Sequence, residues 1–117
     1  MNWHNELFTT LVLVGFIFSL VGSLFYKNPP QDINSLVGYR TARSMKDQAH
    51  WDFSQVYSSK IMMYCGLGLM LLSLLGLFIT FEEKTTDILI FASIIGAAVL
   101  MIFLTERAMK KKFKDEH

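Results

Sequence analysis

The sequence predicts an all-α membrane protein: three transmembrane helices, with a motif-bearing segment and a short amphipathic helix between the first two. Composition points there first, since 52% of the 117 residues are hydrophobic, with ten Phe and seven Met. Charged residues make up only 18%, against about a quarter in an average soluble domain. Three runs carry no charge and approach the roughly 20 residues that a helix needs to cross a hydrocarbon core of about 30 Å. The Lys and Arg residues lie outside those runs and are unevenly shared between the loops, which the net charge of +1 conceals. The length suits one domain, residues 1–117.

The first run, residues 7–26 (LFTTLVLVGFIFSLVGSLFY), has the length of a span. A cleaved secretory signal would need a basic leader and a small-residue cleavage site. The leader here is MNWHNE, without Lys or Arg, and the run ends in FYKNPP, so a retained span is expected. Asn28 precedes Pro29-Pro30, and a residue before proline avoids the α region, so the helix should stop near Lys27. Trp3 and Tyr26 suit the interfacial aromatic belt. The second run is residues 61–81 and the third, shorter one is residues 88–104. The single cysteine, Cys65, lies in the second run and allows no intrachain disulfide or cysteine-based metal cluster.

Orientation follows from the basic residues in short loops, which stay in the cytoplasm. Lys27, Arg40, Arg43, Lys46 and Lys60 lie between spans one and two, and Arg107, Lys110, Lys111, Lys112 and Lys114 follow span three. Ten of the eleven therefore fall on one side, and only Lys84, in the EEKTTD hairpin at 82–87, falls on the other. The N-terminus is therefore expected outside, and the C-terminus and residues 27–60 on the cytoplasmic side of the membrane.

Small residues recur at helical spacing: Gly15, Ser19 and Ser23, then Gly68 and Gly76, then Ala92 and Gly96. Such positions let helices approach closely in lipid, either within the bundle or across a homo-oligomer face. None of the runs contains Asp, Glu, Lys, Arg or His, which argues against an ion-coupled transporter. Tyr64, Ser73 and Ser93 are expected to make interhelical hydrogen bonds.

The segment 34–44, NSLVGYRTARS, has no hydrophobic periodicity and reads as irregular backbone. Gly38 supplies freedom for positive φ or a close approach. Ser44 and Asp47 stand in the capping-box arrangement, predicting a helix from Met45 to Tyr57 that can run on into the second span. Met45, Ala49, Phe53 and Val56 would form its apolar stripe, with Trp51 turned to a separate contact. Arg40 and Arg43 flank Thr41 beside that helix start, where guanidinium forks and free N–H groups favour an anion. The ligand would be a phosphate headgroup or an acidic peptide segment, and the plainer alternative is that both arginines meet anionic lipid. Asp47 and His50 share a helix face but make no metal site, and His4 and His117 stand alone. No catalytic residue, metal or cofactor is expected, and the chain does not read as an enzyme. The tail KKKFKDEH reads as a basic patch beside the membrane, with no direct nucleic-acid partner expected.

The order Pro29-Pro30, Asn34, Gly38-Tyr39-Arg40-Thr41, Arg43-Ser44-Met45-Lys46, Trp51 and Phe53 resembles the SdpI family of bacterial membrane proteins. That family's pattern is close to N-x-x-x-G-x-R-T-x-x-S followed by a tryptophan. Asn34, Gly38, Tyr39, Arg40, Thr41, Arg43, Ser44 and Trp51 are accordingly the expected functional residues. The resemblance implies immunity to a secreted membrane-active peptide, and signalling in which a cytoplasmic repressor is held at the membrane once toxin is bound. The competing function is an anionic-lipid or phosphate-headgroup binding protein that uses residues 34–44.

A reporter active only outside the cytoplasm is expected to signal from residues 82–87 and to stay dark at the C-terminus. The opposite pattern reverses the assignment.

Overall fold

The computed structural model describes residues 4–113; Trp3, Lys114 and His117 lie outside the described residues. It is helical throughout its ordered elements: α1 (Glu6–Lys27), α2 (Gln48–Ser73), α3 (Leu75–Phe78) and α4 (Glu83–Phe113). Three units are long and apolar enough to cross a membrane: α1, α2 with α3, and α4. The 22 residues of α1 rise about 33 Å at 1.5 Å per residue, which matches a hydrocarbon core. Asn5 caps its start by accepting from the Phe8 amide at 3.2 Å. The helix ends at Lys27, where the following Asn28-Pro29-Pro30 cannot continue it.

Close backbone approach holds α1 to α2. A Cβ on Gly15 would lie 2.6 Å from the Gly66 carbonyl oxygen, and one on Gly66 would lie 2.5 Å from the Gly15 carbonyl oxygen. Gly22 meets the Ser59 backbone in the same way, with 2.8 Å left for a Cβ. Ser23 extends the contact by donating to the Met63 sulfur at 3.2 Å. Gly66 supplies this contact on α2, whereas Gly68 and Gly96, which share the helical spacing, have open space around them. Spacing identifies small residues but not which face is turned inward. At the α1 start, Leu7, Leu11, Leu69 and Ile90 form a buried apolar cluster.

The remaining boundaries differ from the hydropathy pattern. The α2 helix breaks at Leu74, where the Ser73 hydroxyl donates back to the Met70 carbonyl and Gly76 follows; such Ser and Gly positions bend helices. The loop before α4 spans only residues 79–82, because Glu83–Asp87 form its first turns. At the other end α4 continues to Phe113, so Glu106, Arg107 and Lys110 are helical and not part of an irregular tail. Ser93, like Ser73, donates within its own helix, to the Leu89 carbonyl, and Tyr64 is exposed. For the two serines the expected interhelical bonds are therefore replaced by local ones, because a serine hydroxyl on a helix reaches its own carbonyl first.

The start of α2 inverts the expected polarity. Ala49 and Val56 are exposed and Met45 and Phe53 are half-buried, while His50, Trp51, Ser54, Gln55, Ser58 and Ser59 are buried. The helix starts at Gln48, with Asp47 and not Ser44 as its N-cap, accepting from the His50 amide at 2.9 Å. It continues without a break into the second span. Its polar side is inward because irregular backbone packs there and needs side-chain partners.

Adding a methyl at Gly66 forces the α1 and α2 backbones apart, whereas Gly68 has room. Gly66→Ala is expected to destabilise the detergent-solubilised protein by about 1–3 kcal/mol, the usual cost of overpacking, and Gly68→Ala to leave it unchanged. Thermal unfolding followed by circular dichroism checks the pair.

Candidate functional site

The polar segment is built from local turns upward. Asn34 folds its own end: its side-chain oxygen accepts from the Leu36 and Val37 amides at 2.9 and 2.7 Å, and its amide donates to the Asp32 carbonyl at 2.9 Å. The chain then reaches Gly38 at φ 108°, where any Cβ would be strained and would also lie 2.5 Å from Gln55 Oε1. Buried Gln55 binds the Tyr39 backbone from both sides. It accepts from the Tyr39 amide at 2.8 Å and donates to the Tyr39 carbonyl at 2.7 Å, as a neighbouring strand would.

Thr41 and Ser44 close the next turn on each other. The Ser44 hydroxyl accepts from the Thr41 amide at 2.7 Å, and the Thr41 hydroxyl accepts from the Ser44 amide at 3.1 Å. Ser44 is fully buried. It is a turn-former here, because the helix it was expected to cap begins further on. Trp51 is also fully buried, and its indole N–H donates to the Pro30 carbonyl at 2.7 Å. This ties the Pro29-Pro30 corner to the α2 start.

Glu106 on α4 gathers the segment. Its Oε2 accepts from the Tyr39 hydroxyl at 2.7 Å and from the Thr41 hydroxyl at 2.8 Å, and its Oε1 accepts from Arg43 at 3.1 Å. Arg43 and Glu106 are both largely buried, with side-chain exposures of 14% and 24%. Burial, then the hydrogen bond to the Glu106 carboxylate, holds the Tyr39 hydroxyl well above its ordinary pKa, so it remains a donor. The anion that the Thr41–Arg43 arrangement suits is thus a carboxylate of the same chain. Arg40 takes no part: it is exposed and, among the described residues, has no hydrogen-bond or ion-pair partner. An anion site built on Arg40 and Arg43 at a helix start near Ser44 is not formed, since that helix starts at Gln48.

A second contact ties the same ends. His50 is buried, pairs with Asp47 at 2.7 Å and stacks on Phe113 of α4 with ring centroids 4.0 Å apart. The hydrogen bond from the His50 backbone, followed by the one to its side chain, lowers the Asp47 pKa. Among the described residues, no group of three or more His, Cys, Asp or Glu side chains comes together as a metal would require.

Seven of the eight expected residues therefore belong to one connected region, and Arg40 stands outside it. Glu106, Gln55 and the Pro30 carbonyl complete the region and were not anticipated. Glu106 had a faint signal as an acidic residue within TERAMKKK, two residues beyond the apolar run. Gln55 had another as an amide set among Ser54, Ser58 and Ser59.

The fold and site define a multi-pass helical membrane protein whose extramembrane segment is pinned to its third span. The chain belongs to the SdpI/YfhL protein family, which its residues 31–105 match. It is 37% identical over 96 residues to the uncharacterized protein YfhL of Bacillus subtilis (strain 168), which covers 82% of each chain. No solved structure matches.

Glu106→Ala removes three acceptor contacts and is expected to destabilise the protein by about 2–4 kcal/mol, with Tyr39→Phe costing about 1.5 kcal/mol. A double-mutant cycle on Arg43→Ala and Glu106→Ala in thermal unfolding is expected to give a coupling of at least about 0.5 kcal/mol. Additive losses would remove the ion pair from the account.

Proposed function

We propose that the protein is an SdpI-like immunity module, which binds a membrane-active antimicrobial peptide within the bilayer and protects the cell that makes it. The observation that carries this reading is the three-donor grip on Glu106, because it couples the motif segment to the third span. The α4 helix is the least buried of the three spans. An intramembrane cleft of about 470 Å³ separates it from α2, lined by Tyr64, Gly68, Ser93 and Gly96 among others. Gly68 and Gly96 both leave open space there, and small residues admit a closely packed helix in lipid. A peptide seated in the cleft would shift α4, and the shift would reach residues 34–47 through Glu106. The signalling arm of this reading follows from that coupling, with a cytoplasmic repressor as the partner that senses the loosened segment.

The test is survival of a susceptible bacterium challenged with membrane-active peptides, including the sporulation-delaying toxin. Expression of the natural chain is expected to raise survival. Gly68→Leu, which fills the cleft, and Glu106→Ala are each expected to abolish the gain at equal protein levels in the membrane. No protection by the natural chain against any such peptide sinks the proposal.

A further inference from the structure

One face of α4 changes character as it leaves the membrane. Val99, Ile102 and Phe103 line the apolar part of a groove of about 480 Å³, and Arg107 and Lys110 continue the same face at its far end. Arg43 joins them from the motif segment. The three apolar side chains are 59%, 45% and 58% exposed, so the protein does not cover them. The charge-free residues 88–104 rise only about 26 Å, so Arg107 and Lys110 emerge at headgroup depth. Glu106 lies beside them, but its charge is taken up by Tyr39, Thr41 and Arg43. The rim of the groove is therefore cationic directly above a hydrocarbon wall.

We propose that this face seats one anionic glycerophospholipid, with an acyl chain along Val99, Ile102 and Phe103 and the phosphate against Arg107 and Lys110. A guanidinium fork matches two phosphate oxygens. The lysine stem lies along apolar surface while its ammonium reaches the headgroup. The order of apolar and charged groups along one helix face is the order of tail and headgroup in a lipid, which free phosphate does not match. The site differs from the one expected around Arg40, and it is independent of peptide protection.

Native mass spectrometry of the full chain in neutral detergent tests it, with equal phosphatidylglycerol and phosphatidylcholine of identical acyl chains. Retention of phosphatidylglycerol over phosphatidylcholine is expected, falling about fivefold for each of Arg107→Gln and Lys110→Gln. Val99→Trp, which obstructs the tail path, is expected to lower retention of phosphatidylglycerol with both cations intact. Lys60→Gln, an exposed cation on α2, is expected to change nothing. Circular dichroism verifies that each variant is folded. Equal retention of the two lipids, indifference to Arg107→Gln and Lys110→Gln, or an equal loss with Lys60→Gln overturns the proposal. Displacement of the lipid by inorganic phosphate at matched concentration also overturns it, in favour of a free-phosphate site.

Discussion

A carboxylate at the edge of a membrane must be supplied with donors, and Glu106 is supplied by a segment more than sixty residues away in the chain. Two hydroxyls and a guanidinium satisfy it, and each comes from a different residue of one tight turn. That requirement orders the polar segment. Tyr39, Thr41 and Arg43 can reach one carboxylate together only if Gly38 adopts positive φ, Gln55 holds the Tyr39 peptide and Ser44 closes on Thr41. Each of these contacts positions a donor, and together they connect the loop to the third span.

The same demand explains why the start of α2 has its polar side inward. An irregular segment cannot satisfy its own backbone as a helix does, and each buried orphan group costs about 1–3 kcal/mol. Gln55 and the Trp51 indole meet that demand at Tyr39 and Pro30. The serines beside them are small and satisfied by their own helix, as when Ser59 donates to the Gln55 carbonyl, so they allow close packing without a polar penalty. Val56 and Ala49 are left outside, where they meet lipid or solvent at little cost. Deeper in the membrane the driving force changes from polar satisfaction to contact area, and Gly15, Gly22 and Gly66 bring the backbones of α1 and α2 together. The third span has no equivalent glycine contact; Glu106 and the His50–Phe113 stack attach it at the motif end, and Ile90 attaches it at the other end in the cluster with Leu7, Leu11 and Leu69.

Much of this was legible in the residues. Hydropathy located the three spans, Pro29-Pro30 ended the first, and the order of Asn34, Gly38, Thr41 and Ser44 marked the segment that carries the motif. Less legible were the partners. The Ser44–Asp47 spacing fits a capping box, yet Asp47 alone caps α2 because Ser44 is engaged with Thr41. The arginine pair around Thr41 suggested an external anion, and one of the two, Arg43, instead meets an internal one. Arg40 looks equivalent to Arg43 in sequence but remains exposed.

By itself the sequence determined the membrane class, the number of spans and the segment that carries the motif. These depend on local quantities: charge-free length, proline, and turn-forming side chains. Only the tertiary structure decided which face of α2 is buried, which glycines touch, and that Glu106 is the acceptor for Tyr39, Thr41 and Arg43. Those choices depend on how helices far apart in the chain are rotated against one another. A periodic pattern describes the faces of a helix, but polar satisfaction and close backbone approach select the face that turns inward.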